Sequence, residues 1–148
     1  MRALTPGETH VIRWFAARVG ESPGLRLLGD LEDTMVEEIR NEHLTLRFHI
    51  SGRSPVGFED TYPASFAAAR DADGGNLTLT LWLDLDGTLY CLNVSRADTG
   101  PVQRPDWANL RAMTPEDFTR SLKLSDAAES ATPSRVHRWL RRLTRHCT

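Results

Sequence analysis

The side chains of this 148-residue chain that are able to do chemistry are five histidines, two cysteines, twenty carboxylates and eighteen cations, of which all but Lys123 are arginine. Zinc and histidine-base chemistry need convergent imidazoles, and His10, His43, His49, His137 and His146 form no HxxxH, HExxH or HxH pattern. Cys91 and Cys147 lie far apart with no CxxC pair, so no redox or zinc motif follows. In a reducing compartment both are expected as free thiols, Cys91 as an ordinary half-buried strand cysteine. A bridge between them would require the last helix of the chain to lie over the outer face of the segment that carries Cys91. Two copies of Asp-x-Asp-Gly, at Asp71 to Gly74 and Asp84 to Gly87, have the look of calcium loops. An EF-hand needs a further oxygen ligand before its glycine and a bidentate glutamate twelfth in the loop, which neither copy supplies; both read as turns. The expectation is therefore a non-enzymatic protein with no catalytic residues, no metal and no cofactor.

Charge is more informative than any motif. The formal net charge is -2, which excludes a globally basic nucleic-acid binder, yet the layout is uneven. Arg135, Arg138, Arg141, Arg142 and Arg145 stand near the end with no acidic residue among them, and everything before Arg135 holds thirteen basic against twenty acidic residues. Such asymmetry marks an interaction surface, or a basic tail that docks on its own acidic body. Asp30, Glu32, Asp33, Glu37, Glu38, Glu42, Glu59 and Asp60 crowd the first half of the chain. An acidic surface of this kind suits occlusion of a basic site on a partner protein. The partner-contacting candidates are Glu37, Glu38, Glu42, Glu59, Asp60, Trp82 and Asp84 on the body, and Arg135, Arg138, Arg142 and Arg145 on the tail. Trp107 and Tyr90 are weaker candidates, since an aromatic is more often core than contact.

The elements that must position these residues follow from periodicity. Thr5-Pro6-Gly7-Glu8 is a helix start with a capping box, and Val11, Ile12, Phe15 and Val19 line one face of a helix running to about Gly20. Glu21 to Asp33, with its Ser-Pro-Gly, reads as a connection anchored by Leu25, Leu27, Leu28 and Leu31. Leu44, Leu46, Phe48 and Ile50 alternate with polar residues as a strand, and Thr34 to Arg40 is the preceding strand or a helix. Ser51 to Pro63 is a long loop, and Ser65 to Arg70 a further strand ending in the first Asp-x-Asp-Gly turn.

Asn76 to Arg96 is the clearest signal. Leu77, Leu79, Leu81, Leu83 and Leu85 alternate, and Asp86-Gly87 suits a two-residue hairpin turn. The register then sets Leu85 opposite Thr88, Leu83 opposite Tyr90, Leu81 opposite Leu92 and Leu79 opposite Val94, while Trp82 meets Cys91 and Thr80 meets Asn93 on the other face. A slip of one residue would destroy the apolar pairings together. A Pro- and Gly-rich stretch follows to Asp106. Thr114-Pro115 caps a helix with Phe118 and Leu122 inward, Ser125 to Thr132 is linker-like, and Thr132-Pro133 opens a final helix ending near Cys147. On that helix Val136, Trp139, Leu140, Leu143 and Cys147 fall on one side and the five arginines opposite.

The whole is a single α+β domain, residues 1–148. Residues 1–105 form an N-terminal helix packed on a four- to five-stranded antiparallel meander sheet, and residues 106–148 form an extension of two C-terminal helices. Glu8, His10 and Arg13 interrupt any apolar run at the N-terminus, and no stretch reaches about 18 apolar residues. The expected location is the cytoplasm, without a membrane span.

Several of these segments resemble a known group. Phe66 to Gly74, the hairpin Leu81-Trp82-Leu83-Asp84-Leu85-Asp86-Gly87-Thr88-Leu89-Tyr90, then Asp98 and Arg104-Pro105, together with the opening Arg2-Ala3-Leu4-Thr5-Pro6, resemble a family of small uncharacterised bacterial domains. Some of its members are similar to immunity proteins of polymorphic toxin systems. The resemblance covers about Arg2 to Pro105, leaves Asp106 to Thr148 outside, and carries over no catalytic residue. After the hairpin this chain has Cys91, Asn93, Ser95 and Thr99 where relatives commonly have acidic and aromatic residues. The resemblance implies a cytoplasmic immunity-type inhibitor whose partner is a cognate toxin. The alternative is a nucleic-acid or anionic-surface binder that uses the basic C-terminal helix, whose affinity would fall steeply with salt.

Overall fold

The structure, a computed structural model, describes residues 1–127. Its elements in chain order are β1 (Arg2–Ala3), α1 (Pro6–Ala16), α2 (Glu21–Asp30), β2 (Thr34–Arg40), β3 (Leu44–Ile50), β4 (Thr61–Arg70), β5 (Asn76–Asp84), β6 (Leu89–Arg96), β7 (Arg111–Met113) and α3 (Pro115–Ala127), with one-turn helices at Leu31–Asp33 and Phe58–Asp60. The strands form one antiparallel sheet of order β1-β2-β3-β6-β5-β4-β7. The class is α+β as expected, but the sheet has seven strands rather than four or five and is no simple meander. The hairpin β2–β3 and the meander β4–β5–β6 meet where β3 pairs with β6. Two strands escape the sequence reading because β1 and β7 have two and three residues, too few to show alternation. Since β7 pairs with β4, the stretch after residue 105 is not purely helical but completes the sheet.

Thr5 caps α1 as expected: its Oγ1 accepts from Glu8 N (3.2 Å), and Glu8 Oε2 accepts from Thr5 N (2.8 Å). The helix stops at Ala16, short of Gly20, because Gly20 at φ +106° starts a second helix. That second helix replaces the predicted connection. Pro23 sits in the first turn of α2, where its missing N–H costs nothing, and Gly24 lets α2 cross α1 so closely that a Cβ there would collide with the Ala16 carbonyl oxygen. Val11, Ile12, Phe15 and Leu27 pack on the inner face of the sheet against Val36, Leu44, Leu46, Phe48, Ala67, Leu79, Leu81, Leu83, Leu92 and Val94. Of the four leucines expected as anchors, Leu27 is buried and Leu31 partly so, whereas Leu25 and Leu28 face outward.

The hairpin keeps its predicted register at its base and loses it near the turn. Leu79 pairs with Val94, Thr80 with Asn93, Leu81 with Leu92 and Trp82 with Cys91, but Leu83 pairs with Leu89. Asp84 N donates to Thr88 O and Gly87 N to Asp84 O, both 2.9 Å, so the loop is Leu85-Asp86-Gly87 with Gly87 at φ +80° rather than a two-residue turn. The displaced register is absorbed by a bulge at Tyr90, which turns that ring to the outer face beside Trp82. Leu85 therefore points to solvent, not inward. In β4 the register shifts between Pro63 and Ser65, beyond the stretch that β7 pairs, where a residue without an N–H is tolerated.

Thr114 caps α3, its Oγ1 accepting from Asp117 N (3.0 Å), and Phe118 stacks on Phe66 of the outer face at 4.6 Å between ring centres. The helix runs on to Ala127, three residues into the stretch predicted as a linker. The predicted final helix, with Arg135, Arg138, Arg142 and Arg145, lies outside the described residues.

Candidate interaction surface

The acidic residues singled out from the sequence do not form one surface. Alternation along β2 sends Glu37 to the outer face and Glu38 to the inner side, at the sheet edge. Glu37 Oε2 lies 3.3 Å from His49 Nε2. Glu38 bridges two arginines: Arg2 Nη2 at 3.0 Å, and Arg40 Nε. Arg2 also grips Glu8 through two bonds of 2.8 and 2.7 Å, and Arg40 Nη1 donates to the carbonyls of Val102 and Gln103, both 3.1 Å. Burial pushes the Glu8 carboxyl up, but the Arg2 guanidinium and the Thr5 N–H outweigh it and hold it below the usual range. The same competition lowers Glu38. These groups line a cleft of about 610 Å³ with Arg104, Asp106 and Trp107 on its rim. Arg2, Glu8, Glu38 and Arg40 are spent on one another and on the 102–103 carbonyls, so they work as a clamp between α1, β1, β2 and the 102–104 segment.

The first Asp-x-Asp-Gly turn is a second clamp. Asp71, buried, accepts from the N–H groups of Ala72 (2.9 Å), Gln103 (2.8 Å) and Arg104 (2.7 Å) and from Arg96 Nη1 (2.9 Å). Desolvation raises its carboxyl, and these four donors more than reverse that. Asp73 and Asp98 complete the shell around Arg96, and the Asp98 carboxyl is held down at about 2 by that guanidinium. The second copy works likewise: Asp84 Oδ1 accepts from Asp86 N and Thr88 N, each 2.9 Å. Both copies are turns, as read. Asp84, half-buried, thus holds the turn through Oδ1.

Trp82 is buried on the outer face, 4.9 Å from the Phe58 ring, and Tyr90 joins the same cluster; neither stands out as an exposed contact. Burial raises the Tyr90 hydroxyl pKa. Trp107 is half-buried against α1 at Gly7. Glu42 lies exposed in the β2–β3 turn. Cys91 is wholly buried and disulfide-bonded, which corrects the free, half-buried thiol expected.

What the chain does assemble is one end of the molecule. Arg26 Nη1 of α2 donates to Asp86 O (2.7 Å), Pro23 abuts Gly87, and Leu85 N donates to Asp60 O (3.1 Å). These bonds join α2, the β5–β6 turn and the one-turn helix holding Glu59 and Asp60. Three leucines of α2 and the turn are exposed there: Leu25 at 65%, Leu28 at 46% and Leu85 at 71%. Sequence reasoning placed all three inward. Their signal was present in α2, where Leu25 and Leu28 fall off the face defined by Gly24, Leu27 and Leu31, but it could be read only once Glu21–Asp30 was known to be helical.

The fold thus defines an α+β protein with an open antiparallel sheet and two helices on its inner face. No family model, curated protein or solved structure matches this chain. None of the described helices is long and apolar enough to cross a membrane.

Proposed function

We propose that the protein is a non-enzymatic binding protein, an immunity-type inhibitor that neutralises a cognate bacterial toxin by covering its basic active site. The observation that carries this reading is the α2 and hairpin end. It exposes Leu25 and Leu28 on α2 and Leu85 in the adjoining turn beside Asp86, and Arg26 Nη1 to Asp86 O and Leu85 N to Asp60 O tie that turn to α2 and to the one-turn helix of Glu59 and Asp60. Exposed apolar side chains among carboxylates suit a partner whose surface is basic around an apolar recess. A rigid frame keeps the ordering cost of binding low. The likeness of the hairpin and turn segments to small bacterial domains with immunity-type members supports the same class. The cytoplasmic location expected with free thiols is set against the disulfide at Cys91, which an oxidising compartment preserves.

The test is affinity capture with the tagged full chain, washed at low and high salt, beside a Leu25→Ser/Leu28→Ser/Leu85→Ser variant. One polypeptide held through the high-salt wash by the parent and lost by the variant is the expected result. Its gene, expressed alone, should arrest growth, and co-expression of the parent should relieve the arrest. Retention of nucleic acid alone, released by salt, would overturn the inhibitor reading and leave the Arg135 to Arg145 stripe as the functional element.

A further inference from the structure

We infer that the cleft between the start of α1, the β2–β3 hairpin and residues 104–108 is a binding site for a small aromatic carboxylate. This site is separate from the α2 and hairpin end, and it stands whether or not that end binds a toxin. At about 610 Å³ the cleft has the size that takes an organic molecule rather than an inorganic ion. Leu44 and Leu46, both buried on β3, line it together with Pro105 and the half-buried Trp107. Trp107 lies so close to α1 that a Cβ on Gly7 would stand 2.6 Å from its Cδ1, so the missing side chain at Gly7 is what seats the indole there. A held indole beside aliphatic side chains suits a flat apolar body.

The polar groups of the cleft set the charge of its occupant. Every carboxylate oxygen there already accepts a hydrogen bond. Glu8 takes bonds from Arg2 and from Thr5 N, and Glu38 from Arg2 and Arg40. Asp106 Oδ1 accepts from Ala108 N (3.1 Å) and Oδ2 from Asn109 Nδ2 (2.7 Å). The donors are not used up in the same way. Arg40 spends Nε on Glu38 and Nη1 on the carbonyls of Val102 and Gln103, which leaves Nη2 with no bond among the described residues. The Arg104 side chain, exposed on the rim, makes no hydrogen bond or ion pair among them. Two guanidinium groups with N–H to give, beside carboxylates already supplied, select an anion, and the planar fork of arginine matches a carboxylate. A ring laid on Leu44 and Leu46 against Trp107, with its carboxylate at Arg104 and Arg40 Nη2, uses both features.

Titration of the isotopically labelled full chain with indole-3-acetate, followed by NMR, tests this. Indole-3-acetamide, its neutral isostere, and acetate, which lacks the ring, are the comparison probes. Indole-3-acetate should shift the Gly7 amide and the Trp107 indole N–H saturably, with a Kd at or below about 1 mM. The amide, without the charge, and acetate, without the apolar body, should each bind at least about tenfold more weakly. Arg104→Gln should weaken indole-3-acetate by about tenfold and leave the urea midpoint unchanged, because that side chain is exposed. The Leu25→Ser/Leu28→Ser/Leu85→Ser protein should bind it as the parent does. No saturable shift, equal affinity for the acid and the amide, undiminished binding by Arg104→Gln, or shifts that spare Gly7 and Trp107 would each overturn the inference.

Discussion

Replacing Asp71 by Asn tests whether the Asp71 clasp holds residues 102–104 to the sheet. The carboxylate is fully screened from solvent and accepts four bonds, two of them from the backbone of Gln103 and Arg104. An amide of the same shape keeps one acceptor oxygen and turns an NH2 group toward N–H donors. The loss lies between about 1–3 kcal/mol for one orphaned buried donor and about 3–5 kcal/mol for a broken buried ion pair, so about 3 kcal/mol is expected. With an m-value of about 2 kcal/mol/M, the urea midpoint should fall by about 1.5 M, followed through tryptophan fluorescence. Asp73→Asn is the control, since Asp73 is 38% exposed and Arg96 keeps its other partners; it should cost under about 1 kcal/mol. A loss under about 1 kcal/mol for Asp71→Asn would refute the clasp.

Acid should loosen the same contacts. The folded-state pKa values of Asp71, Glu8 and Asp98 lie below their unfolded values, so their stabilisation is complete above about pH 5 and drains away as pH falls toward about 2. The urea midpoint should be flat from neutral to mildly acid pH and then drop, less steeply in Asp71→Asn; an equal slope in both proteins would exclude Asp71 as a contributor. Gly24→Ala should destabilise by about 1–3 kcal/mol, since the new methyl meets the Ala16 carbonyl, while Gly29→Ala, which meets nothing, should gain up to about 1 kcal/mol. Matching thermal shifts in the two variants would contradict the close helix crossing. The Leu25→Ser/Leu28→Ser/Leu85→Ser protein should unfold within about 1 kcal/mol of the parent, because none of the three is core. A larger loss by chemical denaturation would mean that these leucines pack.

Periodicity makes much of the fold legible. Thr5 to Glu8, the alternation of Leu44 to Ile50 and the inward set Leu77, Leu79 and Leu81 each lead to the observed element because local preference and burial agree there. The reading fails where tertiary geometry decides. Ser22-Pro23-Gly24 has the composition of a loop, yet it opens a helix because the crossing with α1 demands a glycine. The Leu85-Asp86-Gly87 loop differs from a two-residue turn by where Asp84 places its carboxylate, which alternation does not encode. Among candidate contact residues the sequence identifies charge but not its partner. Glu38 and Asp84 are consumed by Arg2, Arg40 and backbone N–H groups. Glu59 and Asp60 reach the exposed end through a three-residue helix too short to announce itself.

The strand order has a consequence for how the chain comes together. β2 with β3, and β4 with β5 and β6, are neighbours in sequence and can close as local hairpins. The junction of β3 with β6 joins residues nearly fifty positions apart, over Leu44 to Arg47 alone, and the Thr45 hydroxyl donating to Asn93 Oδ1 (3.0 Å) is buried at its middle. Closing that seam, like pairing β7 with β4 across a similar separation, carries a large loop entropy, so it is expected to form late and to slow folding. Arg40 on one side of the seam reaches the carbonyls of Val102 and Gln103 from the other, and so acts as a latch across a joint that forms late.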